Sequence, residues 1–333
     1  MPRHPVLRSR DPGRDGTRQN LWCRYLLGCI LLSILVAYRA ASGGAPLQSG
    51  QVIVSIEGVG RVALLDATNF ASTGSISTGA RPHNLALVSD RFLVAITQGT
   101  DAISVIDLSS LQTVRTIPLG MRPHDGAADP DGPRVHVVSE EGMLATVDVA
   151  SGRVVRRVRL GGRPHDIVAV GDKLWVTDVT SASIRILGRQ GDAPAERLAL
   201  PRAGHDLALR PGGQELWVTP WSGNRIAVLT VSSRRVGAQF GVGRRPQHLA
   251  FTPDGTEAWI TETGIAEALV VDTSSRKMRS RVTVGGPPHH LTLDARLAYI
   301  TVGPAHLVAI DIRTRRIVAR LRLGADPHDV LVR

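Results

Sequence analysis

Residues 163–178 read Arg163-Pro164-His165-Asp166-Ile167-Val168-Ala169-Val170-Gly171-Asp172-Lys173-Leu174-Trp175-Val176-Thr177-Asp178. The Pro-His pair opens a short apolar strand that runs to Val170. A second strand follows at Leu174-Trp175-Val176-Thr177. β-Branched and aromatic residues in short runs, bounded by glycine, proline and aspartate, are the signature of half-buried or buried strands.

The pattern recurs along the chain. The Pro-His column continues as Pro82-His83, Pro123-His124, Gly204-His205, Pro246-Gln247, Pro288-His289 and Pro327-His328, so that the last residues of the pairs are spaced 41, 41, 40, 42, 42 and 39 apart. A second column, 17 residues earlier, holds Asp66, Asp107, Asp148, Gly188, Thr230, Asp272 and Asp311 with the same six spacings. A third, four residues before the histidines, holds Gly79, Gly120, Gly161, Pro201, Gly243, Gly285 and Gly324. Self-similarity at a fixed period of this length marks a repeat architecture. Each unit divides into four strands. The first starts at Pro-His, the second carries the aromatic (Trp217, Trp259, Tyr299), the third ends at the aspartate column and the fourth runs into the glycine column. Turn chemistry such as Pro253-Asp254-Gly255 separates them.

A lone four-stranded sheet has two faces to bury and two bare edges. Radial stacking buries the faces and leaves only short edges. The expected fold is therefore all-β, a seven-bladed β-propeller of four-stranded blades. The N-terminal part supplies three strands, at 51–56, 60–66 and 72–78, and lacks a first one. The segment Pro327 to Val332 supplies that strand and nothing more, so the C-terminal strand is expected to pair with the N-terminal blade and close the ring.

Aromatic-Val-Thr followed by a polar residue in the second strand (Trp175-Val176-Thr177-Asp178, Trp217-Val218-Thr219, Trp259-Ile260-Thr261-Glu262) resembles the YVTN-type β-propeller repeat. The aspartate ending the third strand and Gly-x-x-Pro before the first carry the same likeness, which covers about residues 50–333. The resemblance implies the propeller fold. It also implies a mixed set of roles: surface proteins, periplasmic binding proteins and enzyme-like propellers. Similar propellers occur in nitrous oxide reductase, haem-containing nitrite reductase and amine dehydrogenase subunits.

The first strand of each propeller blade faces the central channel, so equivalent residues converge on one mouth. Six histidines, His83, His124, His165, His205, His289 and His328, share one column, with Gln247 in the seventh place. The adjacent column holds Asn84, Asp125, Asp166, Asp206, His248, His290 and Asp329. Imidazole is the commonest metal ligand, and crowded imidazoles resist protonation. The histidine column is thus a candidate site for copper, zinc or iron. Asp125, Asp166, Asp206, Gln247, His248, His290 and Asp329 are candidate ligand-binding residues at the hub mouth. The competing reading is structural: duplication copies any residue into every blade, and each histidine can bond a carbonyl or aspartate of its own blade. His136, in an aromatic slot, reads as a packed histidine, and Asp129-Pro130-Asp131-Gly132 as a turn. No nucleophile elbow, phosphate loop or dinucleotide fingerprint is present. The absence of Cys-x-x-Cys-His excludes a covalent c-type haem.

Residues 1–25 are polar and arginine-rich, Leu26 to Tyr38 is apolar, and small residues follow from Ala40 to Ala45. That is the layout of a secretory signal, the apolar run being short for a membrane span. Residues 1–42 are read as a signal peptide or an uncleaved signal anchor through residues 26–38, 43–50 as a linker and 51–333 as the propeller. The expected location is periplasmic or extracellular, with membrane contact only through such an anchor. Both cysteines, Cys23 and Cys29, fall in the leader, so the propeller uses neither disulfides nor thiolate metal sites. The net charge of +11 is dispersed arginine, which does not favour nucleic acid, since that footprint needs a clustered basic face. Two functional readings stay open, with surface adhesion through one blade edge inseparable by sequence from the first. One is a rigid scaffold that binds a protein partner or small ligand at the propeller face. The other is a metal- or cofactor-dependent enzyme, an oxidoreductase or lactonase-like hydrolase, using the hub.

Overall fold

The computed structural model describes residues 50–190 and 195–333, so the leader and all but the last residue of the linker lie outside the described residues. The described chain forms seven four-stranded antiparallel sheets. Numbered along the chain, blades 2 to 7 begin with innermost strands at Pro82–Val88, Pro123–Ala128, Pro164–Val170, Gly204–Leu209, Pro246–Phe251 and Pro288–Leu293. Blade 1 contributes Gln51–Ile56, Arg61–Asp66 and Ser72–Ser77 from the N-terminal side, and its innermost strand is Pro327–Val332. That strand runs antiparallel to Gln51–Ile56 with Val52 opposite Val332 and Val54 opposite Val330. The ring closes as the sequence implies.

Seven apolar clusters hold the ring together, each shared by two adjacent blades. The one between blades 7 and 1 joins Tyr299, Leu307 and Leu321 to Val54, Leu65 and Val330. The aromatic slot of the second strand explains itself here. Trp175, Trp217, Trp259 and Tyr299 are fully buried, and each lies in the cluster shared with the following blade. His136 fills the same slot in blade 3, fully buried, with Nδ1 2.9 Å from the Thr146 hydroxyl and Nε2 3.2 Å from Asp129. The glycine column closes the turn from one blade to the next. Gly120, Gly161, Gly285 and Gly324 adopt φ of 60°, 71°, 73° and 102°, a region that favours a residue without Cβ. The aspartates ending the third strands fold the next turn. In one such turn, Asp66 Oδ1 accepts from the amides of Thr68 and Asn69 at 2.7 and 3.0 Å.

One irregularity sets up the hub. The pairing of innermost and second strands slips just after the opening residue, between Pro164 and Ile167, Gly204 and Leu207, Pro246 and Leu249, and Pro288 and Leu291. A β-bulge breaks the strict alternation of side chains and re-aims its extra residue. In several blades two consecutive residues, such as His165 with Asp166, Gln247 with His248 and His289 with His290, thereby line the hub cavity.

Candidate functional site: an imidazole ring at the hub mouth

The motif threonine of the second strand positions both hub columns. Thr301 Oγ1 accepts from the His290 amide at 3.1 Å and donates to the His328 carbonyl of the next blade at 2.6 Å. Thr219 accepts from the Asp206 amide at 3.0 Å and donates to the Gln247 carbonyl at 2.6 Å. Thr177 does the same for Asp166 and His205, both at 2.9 Å. The hydroxyl ties one blade's innermost strand to its neighbour's.

The imidazoles form a closed circuit. Ring centroids are 4.5 Å apart for His83–His124, 4.2 Å for His124–His165, 4.3 Å for His165–His205 and 5.0 Å for His205–His248. The circuit continues at 5.0 Å to His289, 4.2 Å on to His328 and 3.8 Å back to His83. Gln247 does not interrupt it, because His248 from the adjacent column turns into the gap, with His290 stacked on it at 3.7 Å. The bonds that fix these rings run between blades, not within them as the structural alternative assumed. His124 Nδ1 donates to the His165 carbonyl at 2.9 Å, His205 Nδ1 to that of Gln247 at 3.3 Å, and His328 Nδ1 to that of His83 at 2.7 Å. A carbonyl only accepts, so each Nδ1 carries the proton.

Burial, and after it the neighbouring imidazoles, holds His124, His248, His289 and His328 well below the ordinary histidine range. The same causes lower His165, and burial brings His205 to about 4. These rings are neutral at pH 7. Where Nδ1 is pinned, Nε2 is left with a bare lone pair.

The aspartate column mainly stitches the hub. Asp329 accepts from the Leu85 amide, Asp166 from Leu207 and Asp206 from Leu249, each at 2.8 Å and each in the next blade. Asp206 also faces His248 Nδ1, and Asp329 faces His290 Nδ1, both at 3.2 Å. Burial and then the neighbouring carboxylate raise Asp125 well above the carboxylate range; burial does the same for Asp166 and pushes Asp206 up to about 7.

Above the ring lies a cavity of about 450 Å³. His83, His124, His165, His205, His289, His248, His290, Asp125, Asp166 and Gln247 line it; His328, Asp206 and Asp329 do not. Five buried atoms of its lining, Asn84 Oδ1, His165 Nδ1, Gln247 Oε1, His248 Nε2 and His289 Nδ1, have no hydrogen-bond partner among the described residues.

Three residues that the repeat did not reveal complete the site. Glu57, Glu140 and Trp221 each directly follow the second strand of their blade. Glu57 makes a short hydrogen bond to His83 Nδ1, Glu140 lies 4.0 Å from His124 Nε2, and Trp221 stacks on His205 with centroids 5.5 Å apart. Three sets of residues bring their donor atoms within 4.8 Å of one another: Glu57 with His83 and His328, Glu140 with His124 and His165, and His248 with His289 and His290. In addition, His83 Nε2 and His124 Nε2 face each other at 3.2 Å.

A family model for a YNCE-like beta-propeller matches residues 45–175, and the resemblance to YVTN-type propellers is consistent with it. No curated protein matches the chain by sequence. Among solved structures, the chain is similar to a functionally unknown protein from Desulfotomaculum acetoxidans DSM 771, with a TM-score of 0.75 and 13% identity over 85% of this chain and 99% of that one. It is also similar to dihydro-heme d1 dehydrogenase NirN in complex with DHE, with a TM-score of 0.66 and 16% identity over 91% of this chain and 79% of that one. A third is apo AztD from Citrobacter koseri, with a TM-score of 0.64 and 13% identity over 84% and 96%. At these identities the likeness is one of fold.

Proposed function

We propose that this chain is an exported, rigid β-propeller that binds a divalent transition-metal ion, zinc or copper, through the imidazoles of its hub mouth. The observation that carries the reading is the Nδ1 atoms of His124, His205 and His328, each pinned by a carbonyl within a closed circuit of imidazoles. A histidine whose Nδ1–H is held by a carbonyl offers a correctly oriented Nε2, the arrangement found behind metal-ligating histidines in general. The bare Nε2 of His124 opposite His83 Nε2 needs a proton or a cation between the two. Zinc–nitrogen bonds of about 2.0–2.1 Å at tetrahedral angles place two ligand nitrogens about 3.3 Å apart, close to the separation seen. Imidazole with carboxylate suits zinc, copper, iron or nickel and not magnesium or calcium. Export is supported by the leader layout and by a propeller free of cysteine.

The test is elemental analysis of the purified full chain after exposure to zinc or copper and removal of excess. Stoichiometric metal in the parent, lost in a His124→Ala/His165→Ala double variant that still melts cooperatively, is the expected result. A parent that takes up no metal refutes the reading. An enzyme at the same centre, an oxidoreductase or a lactonase-like hydrolase, is favoured by one observation: a cavity of about 450 Å³ is larger than an ion requires.

A further inference from the structure

The position directly after each second strand reads Glu57, Gln98, Glu140, Val179, Trp221, Thr263 and Gly303 around the ring. The arginine column before the Pro-His pair meets this position from the following blade. Arg81 donates to Glu57 at 3.4 Å, Arg122 reaches Gln98 Oε1 at 3.5 Å and Arg163 donates to Glu140 at 2.8 Å. A guanidinium is thus answered by a side-chain oxygen at three successive junctions. At the junction of blades 5 and 6 the rule fails. Arg245 occupies the arginine place, but the preceding blade presents Trp221 there. The Arg245 side chain is exposed and makes no ion pair or hydrogen bond among the described residues. Trp221 is 47% exposed, unlike the three fully buried tryptophans of the second strands. Both line the hub cavity.

We propose that this junction binds an aromatic carboxylate, with its ring against the exposed face of Trp221. Its carboxylate takes the place on Arg245 that Glu57 and Glu140 take on Arg81 and Arg163. The proposal rests on the reading of the hub as a ligand site and names the organic part of what it takes. An exposed aromatic face beside an unanswered guanidinium matches both halves of such a molecule. Stacking and the ring's apolar area favour the aromatic half, and the planar donor fork favours the carboxylate. The cavity lies within the usual size range of small-molecule sites.

The test is isothermal titration calorimetry of 1-naphthoate into the full chain stripped of metal with EDTA at pH 7.5. Zinc uptake is measured separately on the same preparations. Naphthoate should bind, while 1-naphthalenemethanol and cyclohexanecarboxylate, each lacking one half, should bind at least about tenfold more weakly. Trp221→Glu installs the side chain found at two sister junctions and should pair with Arg245. It should weaken naphthoate at least about tenfold while leaving the melting temperature unchanged or higher. Arg245→Gln, at a side chain with no partner to lose, should weaken naphthoate to a similar degree. A parent that takes up zinc but not naphthoate, or a Trp221→Glu protein with unaltered naphthoate affinity, overturns the proposal and leaves the metal reading standing. Naphthoate binding without zinc uptake does the reverse.

Discussion

His205 shows how much a hub histidine owes to its surroundings. Burial brings it to about 4, whereas the same group in the unfolded chain titrates near 6.5. Between those values the unfolded chain binds a proton that the folded chain refuses, so this contribution to stability falls as the pH is lowered from 6.5 towards 4. For this one group the loss is on the order of 3 kcal/mol. His124, His165, His248, His289 and His328 act in the same direction. Asp206 acts in the opposite one. Its folded-state value near 7 lies above 3.8, so its contribution is lost as the pH rises between them. Asp125 and Asp166 share that sign, but the histidines outnumber the aspartates. Calorimetric melting of the metal-stripped protein should therefore show a transition temperature that falls steadily from pH 6.5 to pH 4.5; a flat or rising profile would contradict the burial of the ring. At this scale the sequence was only half legible. The histidine column is plain because it was copied into blade after blade. Gln247 looked like a missing member because a list of residues does not tell which of two neighbours a bulge turns inward, and His248 takes its place.

The second strand carries the motif that made the fold readable, and its threonine is a strand-to-strand fastener more than a marker of β propensity. Thr301→Val keeps the shape of the side chain while leaving the His290 amide and the His328 carbonyl without that partner. A buried polar group stranded in this way costs about 1–3 kcal/mol. Chemical denaturation should show a loss of that order at unchanged m-value, and a Thr301→Ser protein should recover most of it. Blades 2 and 3 have Ile96 and Val138 at the corresponding place, so the fastener is not needed at every junction. The outermost strands pose a different problem, since each presents an unpaired edge. In blade 3 that strand is Arg153–Arg159, with Arg153, Arg157 and Arg159 among its residues, and in blade 7 it is Ile317–Arg322, with Arg320 and Arg322. Charged edges resist pairing with another chain, which gives the dispersed arginine a use that requires no nucleic acid.

For the whole molecule, closure decides whether the ring of imidazoles is complete. Deleting residues 327–333 removes the innermost strand of blade 1 together with His328 and Asp329. Apolar side chains of that strand such as Val330 are buried, at about 1.5–3 kcal/mol each, against a net stability of about 5–15 kcal/mol. The truncated chain should aggregate or be digested rapidly by protease; a soluble product with an unchanged melting temperature would show the closure to be dispensable. The number of blades and the closing strand could be read from the spacing of the columns. The groups that make one junction differ from another could not. Glu57, Glu140 and Trp221 share a position that varies from blade to blade, and a search for repetition discards what varies. Duplication made the frame visible, and the departures from it carry the individuality of the hub.

His328 and His83 touch although they stand 245 positions apart in the chain. A nascent polypeptide carrying blades 2 to 7 but not yet the segment 327–332 has an open arc of imidazoles with one junction unmade. On the metal reading proposed above, an ion held by Glu57, His83 and His328 has to wait for the last of the seven joints, which makes the order of events at that set fold first, load second. On that reading, this set of ligands is filled wherever the chain completes folding and draws on the metal supply of that compartment.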